Sequence, residues 1–113
     1  MPVVKDKKEQ LSVIYTLVPR KNAREIGTSL VEEKLAACIN IVSNVSSIFK
    51  WQGSISNQKE AILLIKTTAS VAKSTIARIK ELHPYEVPCI VCFSVKVPAS
   101  SMAYLKWVKE QTA

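Results

Sequence analysis

The sequence has few of the residues that build most catalytic and metal sites. Its 113 residues include one histidine, three cysteines and two glycines. It contains no glycine-rich phosphate loop, no paired-histidine metal motif and no nucleophile elbow, which mark several large enzyme classes. We therefore expect a protein that is not an enzyme and that carries no organic cofactor.

Long apolar runs are also missing. No run reaches the roughly 18 residues needed to span a membrane, and residues 1–10 lack the apolar core of a signal peptide. These absences predict a cytoplasmic protein with no membrane partner. We expect residues 1–10 to form a flexible tail and residues 11–113 to form a single domain, since a chain of this length supports one core.

Positive charge is in excess, but it is not concentrated. The formal net charge is +7, yet the Lys and Arg residues are scattered along the chain. A nucleic-acid-binding protein more often gathers its basic residues on one element and interleaves them with aromatic side chains. We therefore expect no nucleic-acid partner.

Hydrophobic periodicity predicts the element order βαββαβ followed by a short C-terminal helix. Apolar, β-branched runs indicate strands buried on both faces, while capping residues such as Asn22 and Ser70 precede helix-like patterns. The predicted strands are residues 12–18, 38–52, 55–67 and 89–97. The predicted helices are residues 23–37, a helix from 70 to about 82, and a terminal helix capped by Ser100 or Ser101.

Three short features refine this prediction. The second strand is too long to stay straight in a small domain, so we place a bend or bulge at Ser43 and Asn44. Gly53 and Ser54 predict a hairpin turn. Gly27 lies beside the apolar face of the first helix, where a missing side chain would let the helix approach the sheet closely.

This order is that of an α+β, ferredoxin-like fold, in which two helices cover one face of an antiparallel sheet. The other face has no helices of its own to cover it. Because these strands are apolar on both faces, the uncovered face would form an exposed apolar patch that needs a partner. The pattern therefore predicts a homo-oligomer.

Residues 82–88 combine the only histidine with two prolines, a tyrosine and a carboxylate. Pro84 predicts the end of a helix, and Pro88 predicts the start of a strand. His83, Glu86 and a thiol are acceptable ligands for copper or zinc, although one histidine cannot close a four-ligand site. We expect any metal bound here, Cu²⁺ or another divalent ion, to be labile. The alternative is that the prolines fix a connection, Tyr85 packs, and His83 only ends a helix.

The spacing of Cys89 and Cys92 matches a C-x-x-C motif, which occurs in zinc and redox sites. In a strand, however, this spacing directs the two thiols to opposite faces. We interpret both as core residues, and Cys38 as a buried, reduced thiol in the cytosol.

Several separated blocks also resemble the CutA divalent-cation tolerance family. These blocks are EEKLAACINI (32–41), WQG (51–53), Glu60 leading into LIKT (64–67), HPYEVP (83–88) and YLKW (104–107). The resemblance implies a tight homotrimer with a ferredoxin-like fold, a link to tolerance of copper and other divalent metals, and an architecture similar to that of PII-type signalling proteins. It implies no enzymatic activity.

Matched to the family's motifs, Cys38, His83, Tyr85 and Glu86 occupy characteristic positions. Trp51, Glu60 and Lys66 match positions that lie near a cleft between subunits in the family. The chain departs from the family at three places. It has Thr16 where some bacterial members have a cysteine, Ser43–Asn44 where Pro-Gly is frequent, and Gln52 where Glu is usual.

Three functional hypotheses follow from this resemblance. In the first, a trimer binds divalent metal through His83, with Glu86 and Cys38 as further ligands. In the second, a signalling module binds a small anion between subunits, where Lys66 supplies charge, Tyr85 a hydrogen bond and Trp51 a stacking surface. In the third, the trimer has a structural role and anchors a partner protein.

Overall fold

The computed structural model describes residues 10–113, so all of the predicted tail except Gln10 lies outside the described residues. The elements are β1 (Leu11–Pro19), α1 (Ala23–Glu32), β2 (Cys38–Trp51), β3 (Ser54–Thr68), α2 (Ala69–Leu82), β4 (Ile90–Val95) and α3 (Met102–Gln111). Short 3₁₀ turns at Arg20–Asn22 and Ala99–Ser101 precede α1 and α3. Among these helices none is long and apolar enough to cross a membrane.

The strands form one antiparallel sheet in the order β2-β3-β1-β4. Strands β1 and β2 are separated by β3, so helix α1 must cross over the sheet to connect them, and α2 does the same between β3 and β4. This topology is the predicted ferredoxin-like fold, which is thereby confirmed.

Helices α1 and α2 cover one face of the sheet and enclose the main core. Side chains alternate between faces along a strand, and those that point toward the helices, such as Ile14, Leu63 and Ile65, are fully buried. Leu30 of α1 and Ile79 of α2 complete this core and are also fully buried.

The opposite face, which we call the open face, is only partly covered. Helix α3 packs Leu105 and Val108 against one end of this face, beside Leu11 of β1. Beyond α3 the face remains apolar and exposed. Val42, Val91 and Phe93 are 45%, 42% and 51% exposed, respectively.

Strands β2 and β3 extend past the rest of the sheet as a long hairpin, and the molecule measures 55 × 30 × 24 Å. The predicted bend is present, because the register between β2 and β3 shifts between Val42 and Val45 and Asn44 adopts a φ of 62°. The turn lies one residue earlier than predicted. Gln52 and Gly53 both have positive φ, as a two-residue type I′ hairpin turn requires.

Helix α1 ends at Glu32, five residues before the predicted end at Ala37. Lys34 takes a left-handed conformation, with a φ of 62°, and the backbone N–H groups of Leu35 and Ala36 both donate to the carbonyl of Leu30. The chain therefore leaves the helix through a left-handed C-terminal cap. The hydroxyl of Thr75 on α2 donates to the Leu35 carbonyl at 2.7 Å and fixes this exit.

The predicted caps differ from those in the structure. Asn22 precedes α1, but its side chain makes no capping hydrogen bond and its Oδ1 is buried without a partner. Thr68, not Ser70, precedes α2, because the helix begins one residue before Ser70. Ser101 precedes α3 without a side-chain capping bond. The helices are therefore positioned mainly by their apolar faces, since packing commonly outweighs local propensity.

The prediction that Cys89 and Cys92 lie in the core of the chain is wrong. Strand β4 begins only at Ile90, so Cys89 lies in the preceding loop, and both thiols are free and exposed. Cys38 is half-buried at the start of β2 rather than buried. An edge strand at the end of a sheet has fewer neighbours to cover it, which explains the exposure of Cys92.

Gly27 has more room than the sequence indicates. A Cβ at this position would meet Ile39 Cγ2 at 3.5 Å, which is ordinary van der Waals contact. We therefore expect Gly27→Ala to raise the free energy of unfolding by about 0.5–1 kcal/mol, because alanine lowers the entropy cost of forming the helix. Urea unfolding checks this, with Arg24→Ala at an exposed position of the same helix as the control, because arginine and alanine have similar helix propensities. A destabilised Gly27→Ala variant would mean that α1 has no space for the methyl group.

Candidate functional site

The loop of residues 83–89 joins α2 to β4 and bends at Glu86 and Val87. Helix α2 ends at Leu82, and His83 already has φ −75° and ψ 130° because the following Pro84 disfavours a helical conformation. The hydroxyl of Thr16 on β1 donates to the Cys89 carbonyl at 2.7 Å. The Cys89 end of the loop is therefore attached to the sheet.

The His83 ring connects this loop to β1. The side chain is buried, and its Nε2 lies 2.7 Å from the carbonyl oxygen of Leu17. Its Nδ1 accepts a hydrogen bond from the backbone N–H of Tyr85 at 3.2 Å. This pattern fits the tautomer that carries its proton on Nε2, and it occupies both ring nitrogens within the chain.

Tyr85 extends from the same loop to Glu60 on β3. The phenol donates to Glu60 Oε2 at 2.7 Å and also lies 3.2 Å from Gln58 Oε1. The Glu60 side chain is buried although it is a carboxylate, with the residue only 4% exposed. Burial, the hydrogen bond to Glu60 and the negative charge of Glu60 together raise the pKa of Tyr85 to about 12.

This raised pKa predicts how the pair responds to alkaline pH. The phenol of Tyr85 should ionise near pH 12 instead of near its ordinary value of 10. Because the unfolded chain ionises first, the stabilisation by this pair is complete below pH 10 and is lost as the pH rises toward 12. Ultraviolet titration of tyrosinate, taken as the difference from Tyr85→Phe, measures the shift. Glu60→Gln should move the ionisation back toward pH 10, and an unchanged titration would contradict the role of the Glu60 charge.

Tyr85 and Glu60 lie in a cleft of about 840 Å³ at the base of the β2–β3 hairpin. The aromatic side chains of Phe49 and Trp51 line it from the hairpin, and Glu86 lines it from the loop. The chain reverses direction at the hairpin turn and again at the loop of residues 83–89. These two reversals bring β2, β3 and the loop together around the cleft. Lys50 is the basic residue among the described residues that line the cleft.

The structure brings only part of the predicted anion site together. Trp51 and Tyr85 both line the cleft, as that hypothesis requires. Lys66 does not, because it lies six residues from Glu60 along β3, about 20 Å away. Its Nζ lies 5.9 Å from the centre of the Tyr104 ring on α3. The expected site of Lys66, Tyr85 and Trp51 is therefore not assembled within one chain.

The predicted metal ligands are also separated within the chain. Cys38 pairs in register with Lys66, whereas His83 contacts Leu17 and Glu86 lies in the cleft. Within residues 10–113, no group of three or more His, Cys, Asp or Glu side chains is placed to hold a metal ion. A metal site built from these residues would need further donors, from water or from another chain.

Sequence reasoning gave Glu60 no role as a ligand and did not single out Phe49. The signal for Glu60 was its match to a family position near a cleft, together with its place directly before the buried apolar half of β3. Its contact with Tyr85, 25 residues further along the chain, depends on the register of β3 and on the path of the loop. Phe49 carried no distinguishing signal, since the bulge at Ser43–Asn44 determines which face of the hairpin it occupies.

A protein-family model described as CutA1 divalent ion tolerance protein matches residues 11–111. The chain belongs to this family. The resemblance seen in the sequence blocks is thereby confirmed, and the family's description gives the coarse function as divalent ion tolerance.

Individual relatives agree with this assignment. The divalent-cation tolerance protein CutA of Thermus thermophilus is 42% identical over 100 residues, which cover 88% of this chain and 95% of that protein. The chain spans a smaller share of some plant relatives, with 36% identity over 56% of the chloroplastic CutA 1 of rice.

Solved structures in the family share the fold. The crystal structure of CutA1 from Ehrlichia chaffeensis superposes with a TM-score of 0.86 at 32% identity, covering 92% of this chain and 96% of that chain. A protein from Nostoc, described as PII-like protein CutA, superposes with a TM-score of 0.85 at 34% identity, covering 90% and 97% of the two chains.

Proposed function

We propose that this CutA1-family chain acts as a cytoplasmic homotrimer in tolerance of divalent cations, copper among them, by binding ions rather than by catalysis. The observation that carries the proposal is the family match over residues 11–111. The fold supports it through two features, an uncovered apolar sheet face and a cleft that contains carboxylates.

The open face supports association with further copies of the chain. Its exposed residues lie on the two edge strands of the sheet, Val42 on β2 and Val91 and Phe93 on β4, so the exposed apolar area is not confined to one side chain. Monomeric proteins rarely expose an apolar patch of this kind. A closed trimer would bury the open face of every copy.

The separation of the predicted ligands connects metal binding to this assembly. Since one chain does not bring three donors together within residues 10–113, a Cu²⁺ site would need Cys38 or Glu86 of one copy to meet donors of a neighbour. His83 would have to give up one of its two hydrogen bonds to bind a metal, so Cys38 and Glu86 are the more accessible candidates. Copper accepts thiolate, imidazole and carboxylate ligands.

Copper(II) titration by calorimetry tests the proposal. We expect saturable binding by the wild-type trimer and at least about tenfold weaker binding by Cys38→Ser or Glu86→Gln. Mutating a group that only hydrogen-bonds to a metal ligand already lowers metal affinity by about 10- to 100-fold, and loss of a ligand itself should cost no less. Cys92→Ser is the matched control, since it removes an exposed thiol from a different position. Binding that is absent, or equal in all variants, would make the metal link indirect.

A role in signalling by a small ligand is a second candidate, and the cleft favours it. Its volume is in the range of small-molecule sites, and the Nostoc relative is described as PII-like. The anionic ligand expected from the sequence fits poorly, because the lining charges within this chain are mainly the carboxylates of Glu60 and Glu86. Lys66→Ala should therefore leave ligand binding in the cleft unchanged.

A further inference from the structure

The cleft contains a buried carboxylate. Glu60 is the buried acidic residue among residues 10–113. Arg78 forms ion pairs with Glu33 and Glu81, whereas Glu60 forms none with another residue of this range. The hydrogen-bond donor that reaches its carboxylate in this part of the chain is the phenol of Tyr85.

Burying a carboxylate is costly unless charge or several hydrogen bonds compensate it. An ionised carboxylate offers about four acceptor positions on its two oxygens, and Tyr85 occupies one of them, on Oε2. Because the phenol holds Glu60 at the wall of the cleft, the remaining acceptor capacity is available to a donor that enters the cleft. A cationic donor compensates a buried carboxylate most effectively.

The walls of the cleft suit a cation that has an organic body. Phe49, Trp51 and Tyr85 supply three aromatic rings among its lining residues, and the face of an aromatic ring attracts ammonium and guanidinium groups. Glu86 adds a second negative charge from an exposed position on the loop. A bare metal ion would gain little from the rings of Phe49 and Trp51, which offer no ligand atoms.

We propose that this cleft binds a small organic cation, with an ammonium, guanidinium or amidinium group on Glu60 and its apolar body against Phe49 and Trp51. Tyr85 positions the Glu60 carboxylate. A volume of about 840 Å³ accommodates such a molecule. The inference goes beyond divalent ion tolerance and does not depend on copper binding.

Benzamidine and benzamide are suitable probes, because they have nearly the same shape and only benzamidine is charged at neutral pH. Calorimetry on the full chain in its native oligomeric state should show at least about tenfold tighter binding of benzamidine, the effect of one charge-assisted hydrogen bond. Equal binding of the two probes, or binding of neither, would overturn the proposal.

Three variants assign the binding to these residues. Glu60→Gln keeps the size of the side chain and should remove the preference for benzamidine. Trp51→Ala, at an exposed position on the hairpin, should lower the affinity for both probes without affecting the fold. Lys50→Gln should strengthen benzamidine binding by removing a like charge from the lining. Benzamidine binding that is unchanged in Glu60→Gln would place the cation elsewhere and contradict the proposal.

A basic side chain of a neighbouring copy is the other possible source of such a cation. Light scattering on Glu60→Gln separates the two sources. An unchanged oligomer mass, together with the loss of benzamidine binding, supports a free ligand. A lower oligomer mass in Glu60→Gln, with no benzamidine binding to the wild type, would show that the neighbour fills the cleft and would overturn the proposal.

Discussion

Replacing His83 by alanine is expected to lower the free energy of unfolding by about 2–4 kcal/mol. The ring contributes a hydrogen bond to the Leu17 carbonyl and accepts one from the Tyr85 backbone. Its removal leaves these groups unsatisfied at a buried position, and each such group costs about 1–3 kcal/mol. Urea unfolding followed by circular dichroism measures the change.

Two further variants separate the hydrogen bonds from the general effect of mutation. His83→Gln can still present an N–H group toward Leu17, so we expect it to recover part of the lost stability. Lys80→Ala, at an exposed position in the last turn of α2, should change the stability by less than about 0.5 kcal/mol. If His83→Ala were as stable as the wild type, the ring would have no structural role and would be free to bind a metal.

The fold was predictable because its signals are local and repeated. Apolar runs identified every strand, and Pro84 and Pro88 marked the loop that separates α2 from β4. The ends of the elements were less predictable. The left-handed conformation of Lys34 ends α1 early, and it is coupled to the hydrogen bond between Thr75 and Leu35, a contact across 40 residues that no local pattern reveals.

The candidate site was predictable only in part, for the same reason. The composition of residues 82–88 drew attention to His83, Tyr85 and Glu86, but not to their partners. The ring of His83 looked available to a metal because its contact with Leu17 spans 66 residues. Lys66 was assigned to a cleft between subunits through the family resemblance, and within one chain it lies about 20 Å from Glu60 along β3.

The charge of the cleft is where sequence and structure differ most. The alternative hypothesis from the sequence placed a small anion there, with Lys66 supplying the charge, and the chain as a whole has a net charge of +7. Net charge describes the whole surface, however, and a binding site depends on the few groups that line it. The register of the hairpin places Glu60 at this site and leaves Lys66 near α3.

Replacing Phe93 by glutamate is expected to convert the proposed homotrimer to a folded monomer. Phe93 lies on β4, opposite Val13 of β1, and is 51% exposed on the open face of a single chain. If this face forms the subunit contacts, a carboxylate placed there is buried without a partner in every copy, at a cost of several kcal/mol per copy. Light scattering measures the mass, and circular dichroism checks that the fold is retained.

Ser94→Glu is the matched control, because the neighbouring residue on β4 points to the other face of the sheet and is exposed. It adds the same charge one position away and should leave the trimer intact.

The same monomeric Phe93→Glu variant should lose copper binding, since the separated ligands of one chain require a neighbour. A trimer that persists in Phe93→Glu would exclude the open face as the interface. The subunit contact would then be expected at the hairpin, where Ile48 and Ile55 are 71% and 73% exposed.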